Sequence, residues 1–191
     1  NTDVPGKPNE ASLLILNEDL ELLETIEFGE YSYLPQITGF IGDRLYFSAS
    51  FGDDGIGNST TNQLRYFSIS DSELHTIWES EWLLGYATIY RETLFVARGY
   101  ENIIYEIDAT TGTLKAEHAL SYEPDYFYVS NDILYVAGYD YNVNGRQQTA
   151  MVLAAYALHD SELTLLNKIY LTDGEPGRPG RYYLTGLFAN N

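Results

Sequence analysis

The sequence predicts an all-β protein built from repeated four-stranded antiparallel units. A strand–turn–strand pattern recurs four times, and a second strand module alternates with it. The chain is also rich in aromatic residues, with 18 Tyr and 8 Phe among 191 residues, and such residues favour strands that pack face to face. Together the three observations indicate a repeat fold made of short strands.

The clearest copy of the first pattern is residues 105–114, YEIDATTGTL. Alternating apolar residues lead into the turn Asp108-Ala-Thr-Thr-Gly112, and Leu114 opens the next strand. Asp and Thr side chains bond nearby backbone groups, and Gly adopts positive φ without strain. The pattern therefore predicts a β-hairpin. Looser copies occupy residues 13–20, 64–74 and 152–163.

The second module consists of three short strands at residues 45–47, 94–96 and 134–136, each preceded by a polar break. The Leu after each hairpin turn lies at position 20, 74, 114 or 163, so the copies are 40 to 54 residues apart. A period of about 40 to 50 residues with four strands per unit is typical of a β-propeller blade. The sequence thus predicts a β-propeller.

Residues 105–114 resemble the repeat of PQQ-like (pyrroloquinoline-quinone-type) and YVTN-like bacterial propellers, closely in this copy and loosely in the others. The resemblance implies a β-propeller. That family places a Trp a few residues after the Gly to dock neighbouring blades, where this chain has Ala116, Glu117 and His118. No pocket residues for a quinone are found, so we expect no organic cofactor.

The first strands are ambiguous, because residues 13–28 fit both a helical face and a strand face. Alignment with the repeat favours two strands, since residues 17–19 occupy the turn position. We name the strands of a blade A to D from the inside outward. The predicted order is a C–D pair at 13–28, then blades at 36–79, 85–117 and 125–171, then an A strand at 182–188.

The predicted domain organisation is a polar N-terminal linker at residues 1–11 and a propeller domain at 12–191. Its repeat units span about 12–50, 63–100, 102–140 and 150–191. One unit lacks its B strand, so we expect an arc of a larger propeller with about six to eight blades. A closed four-bladed ring is the alternative.

The charge and composition exclude several classes of function. With a net charge of −18 and only 10 Lys and Arg, the chain is predicted not to bind nucleic acid or anionic lipid. No apolar run is long enough to span a membrane, and no Cys is present for disulfides or thiolate metal sites. We expect an extracytoplasmic protein, periplasmic, surface-bound (for example as a lipoprotein) or secreted.

Long loops are predicted on one face only. In a propeller the B–C and D–A loops emerge on one face, which we call the loop face, and the A–B and C–D turns on the opposite turn face. The long segments 51–63, 139–149 and 172–181 all belong to the loop face. Loops on a rigid scaffold are where function concentrates, so we expect the binding site there.

The candidate ligand-binding residues are aromatic side chains of the shorter D–A loops and two cations of residues 172–181. Aromatic rings beside carboxylates suit sugars, cationic ligands or peptides, although such rings can also simply pack beneath loops. The candidates are Tyr31, Tyr33, Trp82, Tyr122, Tyr126, Arg178 and Arg181.

Asp140, Asn142 and Asn144 match the first half of a calcium loop, D-x-N-x-N-G. The second half is absent, because Met151 stands where a bidentate Glu would be. An ordinary Asn/Gly loop is the alternative, and it is favoured.

No catalytic motif is present, and His75 and His118 are predicted on outer D strands away from the loop face. The sequence therefore favours a non-catalytic binding domain that presents an acidic and aromatic face to a protein or carbohydrate ligand. The alternatives are part of a propeller enzyme acting on carbohydrate and a structural module of a multidomain surface protein.

Overall fold

The computed structural model describes residues 9–31, 33–51, 61–80, 84–142, 148–159, 162–171 and 175–176. Within these ranges the chain forms only β-strands, and no helix is present that could cross a membrane. The strands are β1 (Asn9–Leu16), β2 (Leu22–Tyr31), β3 (Tyr33–Ile41), β4 (Arg44–Phe51), β5 (Thr61–Ser68), β6 (Glu73–Ser80), β7 (Leu84–Tyr90), β8 (Thr93–Arg98), β9 (Ile103–Asp108), β10 (Leu114–Ala119), β11 (Glu123–Ser130), β12 (Ile133–Asp140), β13 (Gln148–His159), β14 (Glu162–Tyr170) and β15 (Glu175–Pro176).

The strands pair with their sequence neighbours in antiparallel sheets. β1 pairs with β2, while β3 to β6, β7 to β10 and β11 to β14 each form a four-stranded sheet in chain order. We call these three sheets blades 1, 2 and 3. The short β15 lies beside the start of β13. The four-stranded units and the two strands in residues 13–28 are confirmed, and so is the placement of His75 and His118 on outer strands.

Alternation along each strand places a core on both sides of blade 2. Leu94 and Ile107 pack with blade 1, whereas Phe95 and Ile104 pack with blade 3. Because successive side chains point to opposite faces, a strand buried on both faces is apolar at nearly every position. Each fully buried side chain of this size contributes about 1.5–3 kcal/mol, so the two cores hold the blades together.

The turn between β9 and β10 docks blade 2 onto blade 1. The hydroxyl of Tyr46 donates a buried hydrogen bond to the carbonyl of Ala109, at 2.9 Å. Trp78 of β6 packs against Tyr105 of β9, with ring centroids 5.5 Å apart. A Trp thus contributes to blade docking, but from the outer strand of the preceding blade and not from the residues after Gly112.

Each inner strand carries one extra residue near its start. The shifts of register lie between Tyr33 and Gln36 in β3, Leu84 and Ala87 in β7, and Pro124 and Tyr126 in β11. Such β-bulges bend a strand and redirect its side chains. Since the A strands begin at the loop face, all three bulges lie at that face.

Candidate functional site

The bulges of blades 2 and 3 bring two tyrosines together at the loop face. Tyr86 lies in the bulge of β7, and Tyr126 follows the bulge of β11. Their rings stack with centroids 4.1 Å apart and an interplanar angle of 28°. Burial, together with a hydrogen bond to Tyr86, raises the pKa of Tyr126, so its hydroxyl stays protonated at neutral pH. Tyr86 keeps 36% of its surface exposed and is available to a ligand.

Two carboxylates lie at the start of β11, beside this stack. Glu123 accepts a hydrogen bond from the backbone N–H of Tyr100 at 3.1 Å, and its side chain also bonds Tyr141. The position of Glu123 is therefore held by two different segments of the chain. It remains acceptor-only when ionised, so it can still receive donors from a ligand.

Asp125 occupies the bulged position of β11, between Pro124 and Tyr126. Burial, and then the charge of the neighbouring Glu123, raise the pKa of Asp125 to about 6. Both causes disfavour the ionised carboxylate, and no Lys or Arg of the described ranges pairs with it. A half-buried acid without a cation is costly to the fold and is common at functional sites.

Exposed rings border these carboxylates. Tyr141 is 50% exposed and lies near Tyr139, with ring centroids 6.3 Å apart. Burial of its hydroxyl, followed by the charge of Glu123, raises the pKa of Tyr141 to about 12. We call Tyr86, Glu123, Asp125, Tyr126 and Tyr141 the tyrosine–carboxylate site.

The site depends on a close approach of β12 to β11. A Cβ atom on Gly138 would lie 2.0 Å from the carbonyl oxygen of Glu123. Only a residue without a side chain lets the two strands come this close at the bulge. Gly138 therefore positions Glu123 and Pro124, although it contacts no ligand itself.

Of the predicted ligand-binding residues, Tyr126 belongs to the site. Tyr122 is buried, with 1% of its surface exposed and its hydroxyl 3.2 Å from that of Tyr156, so its ring supports the core beneath the loops. Tyr31 ends β2 and Tyr33 begins β3, and their side chains are outside the described part of the structure, as are Trp82, Arg178 and Arg181.

The predicted calcium ligands are only partly described. Asp140 is buried, and its carboxylate accepts hydrogen bonds from the Asn142 backbone N–H and the Tyr170 hydroxyl, both at 2.9 Å. Lys168 lies 3.9 Å from the same carboxylate. These partners give Asp140 a structural role in blade 3. Asn144 lies outside the described residues, and the calcium set stays a prediction.

Another group of ligand-type side chains lies on the turn face. Potential ligand atoms of Asp71, Glu73 and His75 lie within 4.8 Å of one another. The two carboxylates are exposed, and the imidazole stacks on Tyr66 with ring centroids 4.7 Å apart. The stacking gives His75 a packing role, and exposed acids at a turn are ordinary surface groups.

Sequence reasoning did not identify Tyr86, Glu123, Asp125 and Tyr141 as site residues. The available signal was a dense run of aromatic and acidic residues at the start of β11, EPDYFY. The extra residue in the strand interrupts strict alternation and makes the direction of each side chain hard to assign from sequence.

No protein-family model matches the chain, and no curated protein matches it. Among solved structures, a chain of the S. cerevisiae Dbp5 complex with Nup159, Gle1, IP6 and ADP is 17% identical with a TM-score of 0.51, over 81% of this chain and 34% of that one. The N-terminal domain of Nup159 is 16% identical (TM-score 0.49, 81% and 34% covered). Kluyveromyces lactis Hsv2 is 10% identical (TM-score 0.42, 72% and 37% covered).

These solved structures are β-propeller proteins, and the β-propeller fold predicted from the sequence is confirmed. At these identities the likeness concerns the fold alone. This chain spans about a third of the length of the solved chains that it matches. The resemblance to PQQ-like and YVTN-like propellers stays a prediction, since no member of that family is among these structures.

Proposed function

We propose that this propeller is a non-catalytic binding domain that presents the tyrosine–carboxylate site to a basic segment of a protein partner. The observation that carries the proposal is Asp125, a half-buried carboxylate beside Glu123 and the Tyr86–Tyr126 stack. A Lys or Arg side chain would supply the cation that the described chain lacks there. The hydrogen bonds it makes to carboxylate would be charge-assisted and strong.

The surroundings of Asp125 favour the same ligand. Exposed tyrosine faces attract cations through the ring quadrupole, and Tyr86 and Tyr141 both have exposed surface. The net charge of −18 attracts basic segments over longer distances and speeds association. A protein partner also agrees with the Dbp5, Nup159 and Gle1 complex among the solved structures that share the fold.

Titration with labelled peptides of alternating Lys, Arg and Ala, followed by fluorescence anisotropy, tests the proposal. We expect Asp125→Asn to weaken binding by about tenfold, because a charge-assisted bond is lost in a partly desolvated site. Tyr86→Ala should also weaken it. Glu117→Gln, which removes an exposed carboxylate from β10, is the matched control and should bind like the unaltered protein. Equal affinity for all four proteins would refute the proposal.

A second candidate function, hydrolysis of carbohydrate, is favoured by one observation. A carboxyl group with a pKa of about 6 beside a second carboxyl group is the pairing that glycosidases use for a general acid and its partner. Chromogenic glycosides provide the test, with Asp125→Asn and Glu123→Gln as inactive variants. Hydrolysis that persists at the same rate in both variants would exclude this site as its source.

We also propose that the described blades are an arc of a larger ring. The β1–β2 hairpin packs on β3 and β4, and blade 3 packs on blade 2, while no extensive contact joins the hairpin to blade 3 among the described strands. Open blade faces need a neighbour, so further blades would cover them. The intact mass of the natural protein tests the arc, and cell fractionation tests the extracytoplasmic location predicted from the sequence.

A further inference from the structure

A pocket lies between blades 2 and 3 at the turn face, on the opposite side from the tyrosine–carboxylate site. Its volume is about 360 Å³, which is the size of a small ligand or of one long side chain. The A–B turns of the two blades and the end of β13 surround it. Its lining includes Phe95, Glu106, Lys115, Asp132, Leu158 and Glu162.

At the upper rim of the pocket, three side chains link the two blades. The hydroxyl of Tyr90 donates to Asp132, and Arg91 lies 3.5 Å from the same carboxylate. The guanidinium also lies over the Tyr90 ring, 4.7 Å from its centroid. Arg91 and Asp132 are largely exposed, so this contact borders the opening of the pocket without fixing its shape.

Below the rim, both blades contribute apolar side chains to a wall that is otherwise polar. Phe95 of β8 and Leu158 of β13 are buried core residues, and Leu163 of β14 packs against the same cluster. These apolar side chains can contact a short hydrocarbon stem.

Glu106 is the unusual residue of this wall. It pairs with Phe95 across the strands and therefore occupies a position that faces blade 3, where neighbouring residues are apolar. Only 8% of its side chain is exposed, and its carboxylate lies 3.1 Å from Nε2 of His118. A carboxylate at a core position is rare unless it is paired, and His118 is the partner of Glu106 here.

The charges that line the pocket do not balance. Three carboxylates and two cations line it, together with His159. Arg91 is paired with Asp132, and the Lys115 ammonium bonds Asp108 and the Thr93 hydroxyl, both at 3.1 Å. The two remaining carboxylates are Glu106, at the buried wall, and Glu162, which is exposed. A cation that enters the pocket would therefore meet negative charge in a partly desolvated setting, where electrostatic attraction is strongest.

We propose that this pocket binds an ammonium or guanidinium group carried on an apolar stem, with the cation at Glu106 and the stem against Phe95, Leu158 and Leu163. A free alkylamine and a Lys or Arg side chain of a partner share this chemistry. The pocket is separate from the tyrosine–carboxylate site, so its test is independent of the test of the proposed function.

The test is a titration of the isotope-labelled protein with n-pentylamine, which is protonated at neutral pH, followed by ¹H–¹⁵N NMR. We expect shifts of the amides of β8, β9 and the end of β13, and no such shifts with n-pentanol, which has the stem without the charge. Equal shifts with both compounds, or shifts confined to other strands, would overturn the proposal.

Variants identify the carboxylate that is responsible. We expect Glu106→Gln, which can keep a hydrogen bond to His118, to weaken n-pentylamine binding by about tenfold. Glu162→Gln, at the exposed mouth, should weaken n-pentylamine binding by about twofold. This exposed variant keeps the test valid if Glu106→Gln fails to fold. Glu117→Gln removes the same charge outside the pocket and should have no effect. Unchanged affinity in both pocket variants would contradict the assignment.

The source of the cation is separated by comparing n-pentylamine with N-acetyl-lysine methylamide and with the same lysine inside an Ala-rich peptide. Tighter binding of the peptide indicates a protein side chain as the occupant. Binding of n-pentylamine alone, with both lysine compounds excluded, indicates a free amine. Failure of all three compounds to bind would refute the site itself.

Discussion

The Cα atom of Gly112 in blade 2 lies against the backbone carbonyl of Ile77 in blade 1. A Cβ atom at Gly112 would meet the Ile77 oxygen at 1.9 Å, and the backbone of Gly112 has φ of +72°. The glycine of the hairpin turn is thus needed for two reasons, the left-handed conformation of the turn and the approach of one blade to the next.

Gly112→Ala should destabilise the protein by about 3 kcal/mol or more, since the methyl group forces blades 1 and 2 apart and adds backbone strain. Gly42→Ala is the matched control. Gly42 has φ of +60° with nothing within 4 Å of a Cβ atom, so this change should cost about 1 kcal/mol from strain alone. Urea unfolding measures both. Equal losses would mean that the contact with Ile77 has no energetic weight.

The Tyr46 hydroxyl is predicted to stabilise the same junction. Tyr46→Phe leaves the buried carbonyl of Ala109 without its donor at 2.9 Å, so it should cost about 1–2 kcal/mol in unfolding free energy. Tyr100→Phe, at a ring that is 86% exposed, is the control and should change stability very little. If Tyr46→Phe leaves the unfolding free energy unchanged, water or a shifted backbone replaces the hydrogen bond.

The lowered pKa of Asp108 predicts that the protein loses stability in acid. Backbone and hydroxyl donors of Thr111, together with the Thr110 N–H and the Lys115 ammonium, hold the pKa of Asp108 at about 2. The unfolded value is about 3.9, so this contribution is complete above pH ~4 and disappears as the pH falls through about 2.

Asp108→Asn should therefore cost about 1–2 kcal/mol at pH 7 and flatten the fall in stability between pH ~4 and ~2. Thermal unfolding across this range provides the measurement. Asp71→Asn, at the corresponding turn of blade 1, is the comparison, because Asp71 accepts one backbone N–H bond there, from Glu73. An acid transition of Asp108→Asn identical to that of the unaltered protein would remove Asp108 as its cause.

The architecture was predictable because its signals are local. The turn Asp108–Gly112 forms the hydrogen bonds that its sequence suggests, and the period of the repeats predicted where each blade begins. The binding residues were harder to predict, because their directions depend on bulges and on contacts between blades. Tyr86 meets Tyr126 across two blades, 40 residues away in sequence, and no local pattern encodes that contact.

The contact between Trp78 and Tyr105 was missed for a related reason. The family repeat places its docking Trp after Gly112, where this chain has Ala116, Glu117 and His118. The structure instead brings the outer strand of one blade against the C strand of the next, so the partner of Tyr105 lies in the preceding repeat. Contacts of this kind become visible only when the spatial order of neighbouring blades is known.

The raised pKa of Asp125 predicts that stability and peptide binding change in opposite directions with pH. Its pKa is about 6 in the folded protein and about 3.9 when unfolded, so the folded state binds more protons between these values. Stability should therefore fall as the pH rises from ~4 to ~6, and the penalty should be complete above pH ~6. A basic peptide needs the ionised carboxylate, so its affinity should rise over the pH range in which stability falls.

Asp125→Asn separates the two effects. The change removes a half-buried charge next to Glu123, so it should stabilise the protein by about 1–2 kcal/mol at pH 7. It should also remove the contribution of Asp125 to the fall in stability between pH ~4 and ~6. The same change should weaken basic peptides and make their affinity independent of pH in this range. Glu117→Gln should alter neither property. If Asp125→Asn lowers stability at pH 7, the carboxylate has a structural partner, and its burial is explained without a ligand.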